Sequence, residues 1–186
     1  MTTLDHDPRP PFEVVASQEL ARDGNIAFRR DRIRWPDGTE AGYRVIEAPD
    51  SAFMVPVHQD GTTLLVRQWR HTWGCTAWEV PAGTLEPGED PLAGAQRELE
   101  EEAGLLAQRW TSLGVTHGTA IATGSQHLYL ARDLIRVQRA PESYERDMII
   151  RELPLREAVD AALRGDIEHA GSVTALTRAA RTLGLL

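Results

Sequence analysis

The chain has 186 residues, 41% hydrophobic and 26% charged, with a formal net charge of −8. That length and composition suit one globular domain, or one domain with a small appendage. The negative balance argues against a nucleic-acid backbone as partner, the one cysteine, Cys75, cannot close an intrachain disulfide, and no apolar run approaches the roughly 18 residues of a membrane span. A soluble cytoplasmic protein is the expectation.

Residues 1–11 are polar and proline-rich and read as a disordered start with no secretory h-region. Residues 12–47 read as an antiparallel β subdomain, with strands over 13–17, 26–35 and 42–47 and a turn at Pro36-Asp37-Gly38. Alone, such a meander is too thin to bury a core. It must pack on the rest of the chain or on a second copy. Ala48-Pro49-Asp50 marks a boundary, after which residues 48–186 form the main domain.

In that domain, strands are expected over 52–58 and 63–68, around the turn Asp60-Gly61. A short strand over 78–80 leads into Pro81-Ala82-Gly83. A helix follows over 91–103. Asp90 suits its N-cap, Pro91 its first position and Gly104 the position past its end. Leu92, Ala95, Leu99 and Ala103 fall in one narrow arc and form its buried stripe. Further strands are expected over 113–117, 128–131 and 148–152. Two helices close the chain, over 154–163 and 172–183, the second with Ser172 as N-cap.

The helix over 91–103 carries the chemistry. Glu98, Glu101 and Glu102 share an arc away from its apolar stripe, and Glu100 points elsewhere. Like charges at this spacing repel, and a helix C-terminus disfavours anions. A divalent cation relieves both penalties, and hard oxygen ligands of this kind suit Mg²⁺ or Mn²⁺.

The stretch 83–105 reads GTLEPGEDPLAGAQRELEEEAGL. It sets Gly83, Glu89, Arg97, Glu98, Leu99, Glu101, Glu102, Gly104 and Leu105 in the spacing of the Nudix box, matched at every specified position. At average residue usage the chance of such a match at one start point is on the order of 10⁻¹⁰. The chain further resembles the ADP-ribose and nucleotide-sugar pyrophosphatase branch of that family, through Leu65-Val66-Arg67-Gln68-Trp69-Arg70, Trp78-Glu79-Val80-Pro81-Ala82-Gly83 and the pattern Arg164-Gly165-Asp166-Ile167 before a final helix.

The resemblance implies an α/β fold: a Nudix-type α/β/α sandwich around a mixed sheet, preceded by the small N-terminal antiparallel sheet. It implies Mg²⁺-dependent, or Mn²⁺-dependent, hydrolysis of a nucleoside diphosphate linked to a second group. ADP-ribose, giving AMP and ribose 5-phosphate, is the expected substrate. The alternatives are another nucleotide sugar, a dinucleotide, or a binding module that has lost turnover. Glu98 and Glu102 would ligate metal, Glu101 would bind a further metal or act through water, and the carbonyl of Ala82 would complete the site. Arg97 would orient the glutamates and Glu89 would brace the loop. Arg67 or Arg70 would meet the diphosphate or terminal ribose, and Glu79 the substrate. Trp35 would stack on adenine across a homodimer built by the N-terminal strands.

One segment departs from the branch. Its members usually carry Ser-Pro-Gly and then a glutamate in the loop after the box, whereas residues 116–127 here read THGTAIATGSQH, with no acid. Gln126, a candidate substrate contact, and His127 are the nearest polar groups. A base would have to be Glu101, His127 or an acid from 142–147.

Overall fold

The computed structural model describes residue 7, residues 9–139 and residues 147–186. The chain divides into two compact units. The first takes in residues 1–48 together with 119–123, and the second takes in 49–118 and 124–186.

The first unit is an antiparallel meander of β1 (Glu13–Asp23), β2 (Ile26–Arg34) and β3 (Glu40–Glu47), in the order β1-β2-β3. Strand β1 runs six residues beyond the expected end at 17. Register shifts between Val14 and Ala16, and between Glu19 and Ala21, break its side-chain period of two and hide the strand in the sequence. The turn at 36–38 forms as read: Gly38 has φ 85° and donates to the Trp35 carbonyl at 2.9 Å. The loop residue Ala122 adds a parallel bridge to Ile46. Ala27, Ile33 and Val45 are buried, while Val14, Ile26, Phe28, Trp35 and Tyr43 are exposed.

The second unit holds two sheets. One is β10-β5-β6, built from β5 (Thr62–Arg70), β6 (Cys75–Glu79) and β10 (Ile149–Pro154), all antiparallel. The other is β7-β4-β9-β8, built from β4 (Ser51–Pro56), β7 (Ala82–Thr84), β8 (Leu105–His117) and β9 (Ser125–Arg136). It is mixed, because β4 and β9 run parallel. Alternation along β4 splits the core into two layers. Ala52 and Met54 join Leu64, Val66, Ala95 and Leu99 under helix α1 (Pro91–Ala103). Phe53 and Val55 join Leu65, Leu128 and Leu130 under α2 (Leu155–Arg164) and α3 (Ala170–Thr182). Helices thus cover both faces of the strands. Full burial of a side chain such as Leu99 or Leu176 contributes roughly 1.5–3 kcal/mol.

Three expectations need correction. Residues 82–84, read as loop, form β7, which pairs with β4 from Ser51 to Phe53. Strand β8 begins at Leu105, directly after the helix, rather than at 113. Ser172 is not the N-cap of the last helix. Helix α3 begins at Ala170 with His169 at its cap, and Ser172 is fully buried inside it. Its hydroxyl accepts from the Val80 amide at 3.1 Å, so a tertiary donor takes the group that a cap would have used. Among the described residues no helix is long and apolar enough to cross a membrane.

Candidate functional site

Helix α1 is fixed at both ends. Asp90 Oδ1 accepts from the amides of Leu92 and Ala93 at 3.0 Å each. Gly104 ends the helix in left-handed backbone at φ 63°, which glycine adopts without a Cβ penalty. Burial of Ala95 and Leu99 sets the helix rotation, and Glu98 and Glu102 are thereby carried onto β7. Both are buried, at 9% and 1% exposure, whereas Glu100 faces solvent. Glu102 Oε2 accepts from the Ala82 amide at 2.9 Å. Gly83 lies so close to Glu98 that an added Cβ would coincide with its carboxylate.

Arg97 ties this group together. Its Nη1 donates to Glu98 at 2.8 Å and to Glu101 at 3.1 Å. Its Nε and Nη2 donate to Glu89 at 3.1 and 3.0 Å, and Nη2 also reaches the Thr84 carbonyl. Glu89 also accepts from the Glu86 amide at 2.9 Å. The Glu89 bonds hold the Arg97 guanidinium well above its ordinary range, and Arg97 in turn holds Glu89 below the usual carboxylate range. The helix thus presents Arg97, Glu98, Glu101 and Glu102 beside the Ala82–Gly83 backbone. Among the described residues no three His, Cys, Asp or Glu side chains already close on one point as a metal cage. The donors nevertheless fit a hard divalent ion: they are oxygens, two of the carboxylates are buried, and Gly83 leaves them room.

The same β7 backbone forms part of a cavity of about 330 Å³, with Phe53, Arg70, Trp73, Gln126 and His169 on its other walls. A neighbouring cavity of about 490 Å³ shares Trp73, Gln126 and His169 and adds Gly118, Glu168 and Ala170. Arg70 closes a two-point fork on Glu79, with Nε at 2.7 Å and Nη2 at 2.5 Å. Glu79 is fully buried, and His169 Nδ1 stands 3.1 Å from its Oε2. Burial alone would push this carboxyl up, but the Arg70 and His169 hydrogen bonds outweigh it, and it falls to about 2. Glu79 is therefore an anion at neutral pH.

The remaining candidates lie elsewhere. Arg67 sits with its guanidinium 5.5 Å over the Trp78 ring and lines neither cavity. Trp35 lies in the N-terminal unit, packed edge-on against Phe12 at 5.3 Å. His127 is the third residue of β9, and its Nε2 pairs with Asp50 at 2.9 Å. Asp50 is held below the usual carboxylate range by that bond and by the Ser125 amide. Of the acids over 142–147, residues 142–146 lie outside the described residues. Sequence reasoning missed Phe53, Trp73 and His169 as cavity walls. No local motif marks them; only the approach of α3 to β4 and β6 brings them together.

The chain resembles known proteins in sequence and in fold. The NUDIX domain model matches residues 48–173. An ADP-ribose pyrophosphatase of Mycobacterium tuberculosis is 38% identical over 160 residues, covering 84% of this chain and 77% of that protein. An ADP-ribose pyrophosphatase of Bacillus subtilis is 27% identical over 149 residues, covering 79% and 80%. The crystal structure of an ADP compounds hydrolase superposes with a TM-score of 0.82, covering 97% of this chain and 100% of that one. At 19% identity, that superposition speaks for the fold.

Proposed function

The chain belongs to the Nudix hydrolase family, and from that premise we propose that it cleaves the diphosphate linkage of ADP-ribose to AMP and ribose 5-phosphate, with Mg²⁺ as its metal. One observation carries the reading. Buried Glu98 and Glu102 touch the Ala82–Gly83 backbone, and that backbone also walls the cavity holding Arg70. A diphosphate in the cavity would thus lie beside the carboxylate group. The similarity to two ADP-ribose pyrophosphatases, at 38% and 27% identity, supports the substrate.

Nudix hydrolases generally depend on a divalent metal. Here Glu98, Glu101, Glu102 and the Ala82 carbonyl would hold it. When bound, such an ion neutralises diphosphate charge and lowers the pKa of a coordinated water. Arg97 keeps Glu98 and Glu101 aimed at one region, and Glu89 braces Arg97. Arg70 lines the cavity with its Nε and Nη2 held by Glu79, so its guanidinium is already oriented and meets a phosphate oxygen through its remaining N–H groups with little entropy left to lose. Gln126 faces the same space. Trp35 would stack on adenine from a second copy. The exposed Val14, Ile26, Phe28 and Tyr43 of the N-terminal sheet support such a homodimer. The single cysteine, Cys75, which cannot close an intrachain disulfide, supports a cytoplasmic location.

The test is a substrate panel with Mg²⁺ and Mn²⁺, containing ADP-ribose, nucleotide sugars and dinucleotides, with products identified. AMP and ribose 5-phosphate released fastest from ADP-ribose is the expected result. Faster cleavage of another nucleotide sugar or a dinucleotide overturns the substrate. The acid-free loop at 116–127 favours a second reading, a non-catalytic ADP-ribose sensor. Calorimetric binding of ADP-ribose with no AMP released over hours would establish that reading.

A further inference from the structure

We propose that a second cavity of the main unit, beside the start of α2 and the end of α3, binds a small monocarboxylate with an apolar tail. The site stands independently of the diphosphatase reading, and turnover plays no part in detecting it.

The cavity has a volume of about 310 Å³. Val57, Leu155, Leu183 and Leu185 form its apolar wall, and His58, Arg109, Arg132 and Asp133 line its polar side. It lies apart from the carboxylates of α1. Phe53 walls the cavity beside those carboxylates, whereas Val57 walls this one. Four residues along an extended strand separate the two by roughly 13 Å. On β9, likewise, Gln126 faces the first cavity and Arg132 the second.

The charges are arranged for an anion. Arg109 and Arg132 stand directly opposite each other in the β8–β9 ladder. Like charges in that relation destabilise a strand pair. One of them is answered within the chain, because Arg109 Nη2 donates to Asp133 Oδ1 at 3.0 Å. Asp133 does this from left-handed backbone at φ 57°, and among the described residues no other non-glycine residue has a positive φ. Such backbone is uncommon and gathers at ligand sites. Arg132 is not answered. Its Nε is closed off from water and has no hydrogen-bond partner, and the same holds for His58 Nε2. Among the described residues no carboxylate pairs with Arg132, since Asp133 is turned to Arg109. Asp60, two residues past His58, spends its Oδ1 on Thr62 at 2.9 and 2.7 Å. A polar group taken from water without an acceptor is a standing cost, and an anion beside the guanidinium offsets it.

The rest of the wall narrows the class of ligand. Asp133 balances one guanidinium, which leaves one positive charge for the ligand, so a monoanion fits. The planar fork of an arginine matches the two oxygens of a carboxylate. Val57 and Leu155 belong to the buried core, and Leu183 and Leu185 pack against it, so a tail would meet apolar surface. The volume equals about ten water volumes and suits roughly eight non-hydrogen atoms. The frame is already fixed. The Val57 amide donates to the Ala131 carbonyl at 2.8 Å, the Leu155 amide to that of Gly61 at 3.0 Å and the Leu185 amide to that of Ala180 at 2.8 Å. A preformed concave wall with a few placed polar groups is the usual form of a small-molecule site.

The full chain is titrated with hexanoate, hexanamide and inorganic phosphate, followed by calorimetry and melting temperature. Hexanoate should bind saturably and raise the melting temperature of wild type. Hexanamide lacks the charge and phosphate lacks the tail, so each should bind at least about tenfold more weakly. Arg132→Gln should weaken hexanoate at least about tenfold. Without ligand its melting temperature should hold or rise, because a repelling charge has gone. Leu185→Ser should weaken hexanoate and leave phosphate unchanged. Absence of hexanoate binding, equal binding of hexanamide, or hexanoate binding kept in Arg132→Gln overturns the site. Phosphate bound as tightly as hexanoate overturns the monocarboxylate. A lowered melting temperature in ligand-free Arg132→Gln makes Arg132 a structural arginine and overturns the unanswered charge.

Discussion

Arg70 holds Glu79 by both oxygens at 2.7 and 2.5 Å, in a place where the carboxylate has no solvent exposure at all. Removing the guanidinium would strand a buried charge, which typically costs about 3–5 kcal/mol. Arg70→Ala should therefore lose stability on that scale in urea denaturation at pH 7. Arg70→Lys should recover only part of the loss, because an ammonium cannot match both oxygens. The double variant Arg70→Ala with Glu79→Gln should lose less than Arg70→Ala alone. Equal losses would show that the pair is not coupled.

The same carboxylate gives a pH dependence with a definite sign. Glu79 falls from an ordinary 4.5 to about 2 in the folded chain. A depressed folded value means the stabilisation is present above pH 4.5 and is lost as pH falls toward 2. The amount is about 3 kcal/mol. Urea midpoints measured from pH 7 down to pH 3 should drop for wild type. Glu79→Gln should start lower and show a shallower decline across that window.

What the sequence made legible follows from range. Helix α1 reads correctly end to end because its signals, Asp90, Pro91 and Gly104, lie within the helix or at its edges. Glu100 reads correctly as solvated for the same reason. Strand β7 does not, since three residues, Ala82–Thr84, carry no periodicity and their strand character comes from pairing with β4 some thirty residues earlier. The first half of β8 is hidden by its exposed residues and exists through its ladder with β9. Ser172 has the composition of a cap, but a buried amide at Val80 competes for it and wins. Residues 97–102 announce the carboxylate group. The pairing of Glu79 with His169 joins positions ninety residues apart, and nothing local encodes it.

Gly83 is required by closeness rather than by backbone angle. A Cβ there would land on the Glu98 carboxylate. Gly83→Ala must push that side chain off β7. The fold should survive with a loss of about 1–3 kcal/mol, the usual cost of overpacking. Turnover should fall by much more than stability accounts for. A panel of kcat and melting temperature for Gly83→Ala checks this. Near-wild-type kcat would show that Glu98 need not sit against the loop.

The carboxylates should differ sharply in what they do. Glu98→Gln and Glu102→Gln should each lower turnover under saturating Mg²⁺ by about 10–100-fold or more, and weaken the apparent metal affinity. Arg97→Ala, which removes the guanidinium bonds to Glu98, Glu101 and Glu89 at once, should fall in the same range as other groups that orient ligands. Glu100→Gln, on the exposed side, should leave turnover unchanged. Steady-state kinetics with a metal titration reads all four. Unchanged turnover in both Glu98→Gln and Glu102→Gln would remove them from the mechanism.

The N-terminal sheet poses the last question. Strand β2 alternates, with Ala27, Asp31 and Ile33 buried while Ile26 and Phe28 are exposed, at 52% and 37%. Val14 on β1 and Tyr43 on β3 are exposed as well. By register Ile26 and Phe28 share one face, while Val14, opposite Ile33, and Tyr43, opposite Asp31, lie on the other, and exposed apolar side chains on a sheet this small mark an association surface more often than a solvated one. Light scattering at micromolar concentration should therefore give the mass of two chains. Ile26→Glu with Phe28→Glu should shift that mass toward one chain while far-ultraviolet circular dichroism stays unchanged. If Trp35 reaches the substrate of a second copy, the monomerised variant should also show a raised KM for ADP-ribose with a smaller change in kcat. A wild-type mass of one chain would leave these side chains facing water, and Trp35 could then not serve a neighbouring copy.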